Sequence, residues 1–209
     1  MLMRTLKIKL GVDGKVRQKQ GISIELFHLL TEVNQLRIVD VVRKGLYLRD
    51  QAYLLLSFSG FLRRSEALAL KLKDVSVRHT AQGNLFLHVV IRKSKTDVFS
   101  KGVELCIAYS SRSGIQVVAL VQLYLDFLIT SGMSPEGALF QSFVGRSAVP
   151  VVESVLGKDA MAIRLKYYIR RVAGTHPGLD LRIENFASHS LRRGGASAAW
   201  QCEVGRELL

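Results

Sequence analysis

Ser188-His189-Ser190-Leu191-Arg192-Arg193-Gly194, near the last residue of a 209-residue chain, is the stretch from which the fold is read. Arg192 lies three positions after His189, so on a helix both side chains share one face and can reach a single phosphate. Ser188 is a natural N-cap, and the exposed amides and dipole of a helix start also favour an anion. The plain alternative is a histidine that caps or packs at a helix start. Far upstream, Arg63-Arg64-Ser65-Glu66 taken alone reads as solvated surface. Position gives it more: Arg63 follows an apolar helix and Gly60, so its guanidinium leaves a rigid corner, and Glu66 can orient it through a charge-assisted fork. An arginine held this way suits two non-bridging phosphate oxygens better than a lysine would. The turn Arg92-Lys93-Ser94-Lys95-Thr96-Asp97 carries three cations. It reads either as a solvated tip that protects a sheet edge or as a lysine that protonates a departing alkoxide.

Charge sets the class of partner. Thirty Lys and Arg against seventeen Asp and Glu leave a formal charge of +13, the footprint of a protein that works on polyanions. A basic ribosomal, RNA-binding or membrane-surface protein has the same footprint, although stacking motifs for RNA are not evident. A hydrophobic content of 48% argues for a packed core and a single compact domain. Cys106 and Cys202 lie far apart and read as buried thiols of a reducing compartment, without a zinc site or disulfide framework. Acidic clusters and metal-ligand spacing are not seen, so neither a metal nor another cofactor is expected. The N-terminus has no apolar stretch before its lysines, so no secretory signal is expected. The longest apolar run, Ile115 to Ile129, is too short and too interrupted by Gln116, Gln122 and Asp126 to span a bilayer. No membrane partner is expected, and the location is intracellular: nuclear in a eukaryote, cytoplasm or nucleoid in a prokaryote.

Residues 1–20 are basic and broken by glycines, and read as a linker or the remnant of an upstream element. Helical spacing starts after Ser23, with Leu26, Leu29, Leu30 and Val33 on one face; a second helix runs from about Leu48 to Ser59, and a third from Ser65 to Asp74. At Val75 the character changes. Val75 to His79 and Leu85 to Ile91 form a hairpin about Ala81-Gln82-Gly83-Asn84, and Val103 to Tyr109 alternates as a third, half-buried strand. Helices return at Ile115 to Ser131, Val151 to Ala173 and Ser188 to about Val204. The fold class is therefore α+β, mostly helical, with a small three-stranded antiparallel sheet inserted between helices.

Gly60-Phe61-Leu62-Arg63-Arg64-Ser65-Glu66-Ala67-Leu68-Ala69-Leu70, closing with Asp74-Val75, resembles the first arginine box of the tyrosine recombinases, or phage integrase family. Arg92-Lys93-Ser94-Lys95-Thr96 is similar to that family's β-hairpin lysine, with Lys95 the best match, and Ser188 to Gly194 looks like its His-x-x-Arg box. The resemblance runs from about Lys15 onward, and the order of three boxes is more specific than any one of them. It implies the family's catalytic-domain fold, in which Arg63 and Arg192 clamp the scissile phosphate, Lys95 is general acid, His189 assists and Glu66 supports Arg63. Arg64, Arg92, Lys93, Lys101 and Arg193 are then further DNA contacts, and double-stranded DNA is the partner.

The family cleaves with a tyrosine nucleophile through a 3′-phosphotyrosyl intermediate and exchanges strands without ATP. Here the departure begins. Tyr47, Tyr53, Tyr109, Tyr124, Tyr167 and Tyr168 all precede His189 and lie in or beside apolar elements, where core packing is the expected role. Trp200 is too early for the family's next box and reads as a core or interface aromatic. The expectation is a catalytic-like domain over 21–209, incomplete at its C-terminus, that binds DNA for recombination and integration of a mobile element but holds no nucleophile. Self-association, or a partner recombinase that supplies the tyrosine, is then expected. The alternative is a non-enzymatic DNA-binding regulator that reuses the fold.

Overall fold

Side-chain capping and apolar spacing start the first helix where the sequence places it. The computed structural model describes residues 19–92, 102–108, 114–143 and 150–201. Ser23 accepts a hydrogen bond from the amide of Leu26 and opens α1 (Ile24–Ile38), which buries Leu26, Phe27, Leu30, Thr31 and Asn34. Asp40 then caps a short 3-10 turn, and α2 (Lys44–Ser59) follows. Almost every side chain of α2 is buried, as expected for a helix surrounded by others. It packs against α1, against α4 (Val117–Thr130) and against α6 (His189–Gln201). Phe58 of α2 stacks on Phe27 of α1 with ring centroids 3.9 Å apart, and Tyr53 meets Phe140 edge-on at 5.2 Å.

The expected third helix is shorter than the sequence suggests. α3 spans Arg64–Ala69 and stops because Leu70 turns extended. The Leu70 carbonyl accepts the amide of Leu139, and the amide of Leu72 donates to the Gly137 carbonyl. Tertiary backbone pairing therefore outcompetes helix continuation, and a 3-10 turn at Leu72–Asp74 leads into the sheet. β1 (Val75–His79), β2 (Leu85–Ile91) and β3 (Val103–Ala108) pair antiparallel in that order, with Val75 opposite Val89 and Leu87 opposite Ile107. Val75, Leu87, Val89, Ile91 and Ile107 enter the core.

Two expectations fail here. Cys106 is exposed, because it lies on the outer face of the edge strand β3 between inward-facing Leu105 and Ile107; Cys202 lies outside the described residues. The helix expected over Val151 to Ala173 is two elements. A strand, β5 (Pro150–Val155), pairs with β4 (Gln141–Phe143), and α5 starts only at Ala160 and runs to Thr175. Pro150-Val151-Val152 begins a run that fits strand geometry better than helix, and Gly157 separates it from α5. So the molecule holds a second, two-stranded sheet beside the three-stranded one.

A buried charge network joins α2 to α5. Asp50 is fully buried and accepts from Arg49 (Nη2, 2.7 Å), from Arg164 (Nε, 2.5 Å) and from the Tyr168 hydroxyl (2.8 Å). Arg49, only 3% exposed, also donates to the Gln141 carbonyl at 3.0 Å. Asn34 of α1 donates to the Tyr168 hydroxyl. Two helices, α1 and α5, and strand β4 are thus tied to α2, whose C-terminal end delivers the site.

Candidate active site

α2 ends at Gly60, whose amide donates to the Leu56 carbonyl. Phe61 then takes a left-handed backbone conformation, φ 50°, uncommon for a residue with a side chain. The corner passes through Leu62 to Arg63, an extended residue at the N-cap of α3. Glu66, in the first turn, is nearly buried, and its carboxylate takes the Arg63 amide at 2.8 Å on one oxygen and Arg63 Nη1 at 2.7 Å on the other. This is the orienting fork expected from the sequence.

Arg192 comes from the other end of the chain. Its Nη1 lies 3.6 Å from Glu66 Oε2 and donates to the Phe61 carbonyl at 2.6 Å across 131 residues of sequence. Glu66 therefore sits between the two arginines, and the turned Phe61 backbone gives Arg192 a second anchor. Arg63 is 28% exposed and Arg192 37%, so each guanidinium still meets solvent. Burial lowers the Arg192 pKa first, the neighbouring Arg63 charge adds to this, and Glu66 opposes both. Two cations around one carboxylate leave a net positive centre, which an oxyanion would neutralise.

Close packing sets the position of α6. A Cβ at Gly194 would fall 2.0 Å from the Ile22 carbonyl oxygen, and one at Gly195 2.0 Å from that of Phe58. These two glycines let the helix lie directly on the backbone of neighbouring segments, which places Arg192 over the corner. The sequence signal was the pair Gly194-Gly195 inside a helix, where glycine costs about 1 kcal/mol relative to alanine. Only Gly194 belongs to the His-x-x-Arg stretch. The Phe61 carbonyl left no signal at all.

The other expected residues are placed as follows. His189 is the first residue of α6, exposed, one turn before Arg192. At that helix start the Ala187 amide donates to Ser190 Oγ. Arg64 pairs with Asp159 at 3.1 Å, and Arg193 donates to the Lys19 carbonyl at 3.1 Å. Arg92 is fastened to buried Asp74, with Nη2 2.6 Å from Oδ1, so its guanidinium braces the turn beneath the sheet. Lys93, Lys95 and Lys101 lie outside the described residues, as does Tyr109.

Tyr47, Tyr53, Tyr124 and Tyr168 are at most 2% exposed, and burial raises the hydroxyl pKa of Tyr53, Tyr124 and Tyr168. Tyr167 is half-buried, with the Arg164 guanidinium 4.8 Å over its ring. Trp200 is 49% exposed on α6 and so is not a core aromatic; its face of the helix turns away from the packed glycine side. Among the described residues no group of three His, Cys, Asp or Glu side chains is placed to hold a metal ion, and no helix is long and apolar enough to cross a membrane.

This helical α+β architecture is the fold of tyrosine-recombinase catalytic domains. The site-specific recombinase XerH bound to its difH substrate superposes with a TM-score of 0.55 at 16% identity, covering 91% of this chain and 45% of that one. A λ integrase dimer bound to a COC′ core site gives 0.53 at 13% identity, covering all of this chain and 48% of that one. In sequence, the integrase/recombinase XerD homologue of Selenomonas ruminantium is 29% identical over 157 residues, which is 75% of this chain and 41% of that protein. No family profile matches the chain. Fold and sequence alike are thus similar to those of integrases and site-specific recombinases. It spans less than half the length of each of these three relatives.

Proposed function

We propose that the chain binds double-stranded DNA and holds one phosphodiester between Arg63 and Arg192, as a recombinase-like protein in DNA recombination and the integration of a mobile element. The observation that carries this is the shared carboxylate: Glu66 touches both arginines, which come from opposite ends of the chain. Two guanidiniums set in this way supply donors to an oxyanion whose charge grows in the transition state. His189, one turn before Arg192, would hydrogen-bond the same phosphate, and Lys95 would protonate the departing 5′ oxygen. Arg64, Arg92, Lys93, Lys101 and Arg193 would contact flanking backbone.

The nucleophile comes from outside these residues, from a partner recombinase. Four of the five described tyrosines are locked in the core, out of reach of DNA. A tyrosine provided in trans, attacking phosphorus as its phenolate, would form the 3′-phosphotyrosyl bond and expel the 5′ oxygen, which takes its proton from Lys95.

Two measurements on the 209-residue protein test this. Nicked suicide duplexes should give no covalent adduct with the protein alone; an adduct mapped to Tyr47, Tyr53, Tyr124, Tyr167 or Tyr168 refutes the assignment. The R63E/R192E variant should lose duplex affinity and show a shallower dependence on salt. Unchanged affinity would instead favour a regulator that binds through other surfaces.

A further inference from the structure

Next to the clamp lies an open cleft of about 530 Å³ whose walls include Lys19, Arg182, Glu184, Asn185 and Arg193. Three of these are cations drawn from three separate parts of the sequence. We infer that this cleft is a second phosphate seat, in which Lys19, Arg182 and Arg193 hold a backbone phosphate of the same duplex that occupies the clamp. The inference rests on the DNA-binding function proposed above.

The cleft is built before any ligand arrives. The segment before α1 is strapped to the segment leading into α6: the Gln20 amide donates to the Asn185 carbonyl at 2.8 Å and the Ile22 amide to the Ser190 carbonyl at 3.0 Å. This strap presents Lys19. Its ammonium donates to the Glu184 carbonyl at 2.7 Å, and Arg193 Nη1 donates to the Lys19 carbonyl. For Lys19 the Glu184 carbonyl orients the ammonium but leaves its charge in place, unlike a carboxylate. Arg182 has its carboxylate neighbour, Asp180, at 3.8 Å, with both side chains exposed, a pairing that costs little to exchange.

Position selects the ligand. Arg192 and Arg193 are consecutive in α6, so their side chains diverge by about 100° around the helix axis. One reaches the Phe61 corner while the other reaches Lys19. A polyanion lying across the start of α6 would meet both. The cleft is open and its residues are polar or charged, which suits a solvated phosphate better than a buried metabolite.

The test measures duplex affinity by fluorescence anisotropy from 50 to 200 mM salt for the wild type, K19A/R182A, R63A/R192A and R170A/R171A. The last removes two exposed cations of α5 and controls for net charge. Each lost phosphate contact flattens the plot of log affinity against log salt by about 0.9. K19A/R182A should therefore lower the slope by about one and weaken binding several-fold at 100 mM salt, with an unchanged melting temperature. K19R/R182K should keep the wild-type slope. If K19A/R182A keeps it too, or R170A/R171A loses as much, the seat is refuted. Should that happen while R63A/R192A still weakens binding, the clamp stands alone. If the wild type does not bind duplex DNA, both proposals fall.

Discussion

Replacing Asp50 with asparagine removes one negative charge and almost no volume, so its effect isolates what that charge holds. Asp50 is fully buried and takes two bonds from Arg49, one from Arg164 and one from Tyr168. Arg164 is 22% exposed along its side chain and can turn to water. Arg49 cannot: it is 3% exposed, its other contact is the Gln141 carbonyl, and the Phe143 ring lies 5.4 Å from its guanidinium. Breaking a buried pair so that one charge is left without its partner costs about 3–5 kcal/mol. That is a large part of a typical total stability of about 5–15 kcal/mol. For a domain of this size each kcal/mol moves Tm by about 2–4 °C, so D50N should melt about 6–20 °C below the wild type. Calorimetry or circular dichroism at one pH and protein concentration measures it. R164A should melt less far below, since its charge is partly hydrated already. A fall of less than about 2 °C for D50N would mean that Arg49 does not depend on this carboxylate, and the account of α2 as the tied central helix would be wrong.

Gly195→Ala places a methyl group 2.0 Å from the Phe58 carbonyl. Overpacking of about 1–3 kcal/mol should outweigh the gain in helix propensity of about 1 kcal/mol, lowering both Tm and duplex affinity as Arg192 moves. Gly174→Ala on α5, which meets nothing within 4 Å, should leave both unchanged or slightly raise Tm; equal behaviour of the two variants in denaturation and binding would dismiss close packing as the reason for Gly195. The ammonium of Lys73, then that of Lys71, holds the Glu136 carboxyl at about 2. Its folded pKa is depressed, so its contribution to stability is present above the ordinary carboxylate range and is lost as pH falls towards 2. Carboxyl carbon NMR should show Glu136 titrating far below the other glutamates, and K73A should raise it; an ordinary midpoint in the wild type would remove the pair.

Much of this architecture was legible because its signals are local. Ser23 capping the Leu26 amide, the alternation of Leu105 and Ile107, and the turn from Ala81 to Asn84 need no distant partner. The failures share the opposite property. α3 stops at Ala69 because Leu70 pairs with Leu139, and the strand at Pro150–Val155 exists because Gln141–Phe143 lies beside it. Asp50 carries no local signal in its apolar helix because Arg164 and Tyr168 are 114 and 118 residues away. The residue type of Cys106 favours burial, but its place in an alternating edge strand points it outward.

The site divides along the same line. Arg63, Glu66 and Arg192 could be named from the sequence because spacing within each box is a property of one short segment. What joins the boxes is backbone: the Phe61 carbonyl that receives Arg192, and the Phe58 and Ile22 carbonyls against which Gly195 and Gly194 lie. A carbonyl is the same in every residue, so no residue letter records it. The glycines record it indirectly, as positions where a helix former would be cheaper by itself and yet cannot fit. Both arginine boxes could therefore remain letter for letter while one added methyl group at position 195 pulls them apart. The clamp is as much a contact between α2 and α6 as a set of charged side chains.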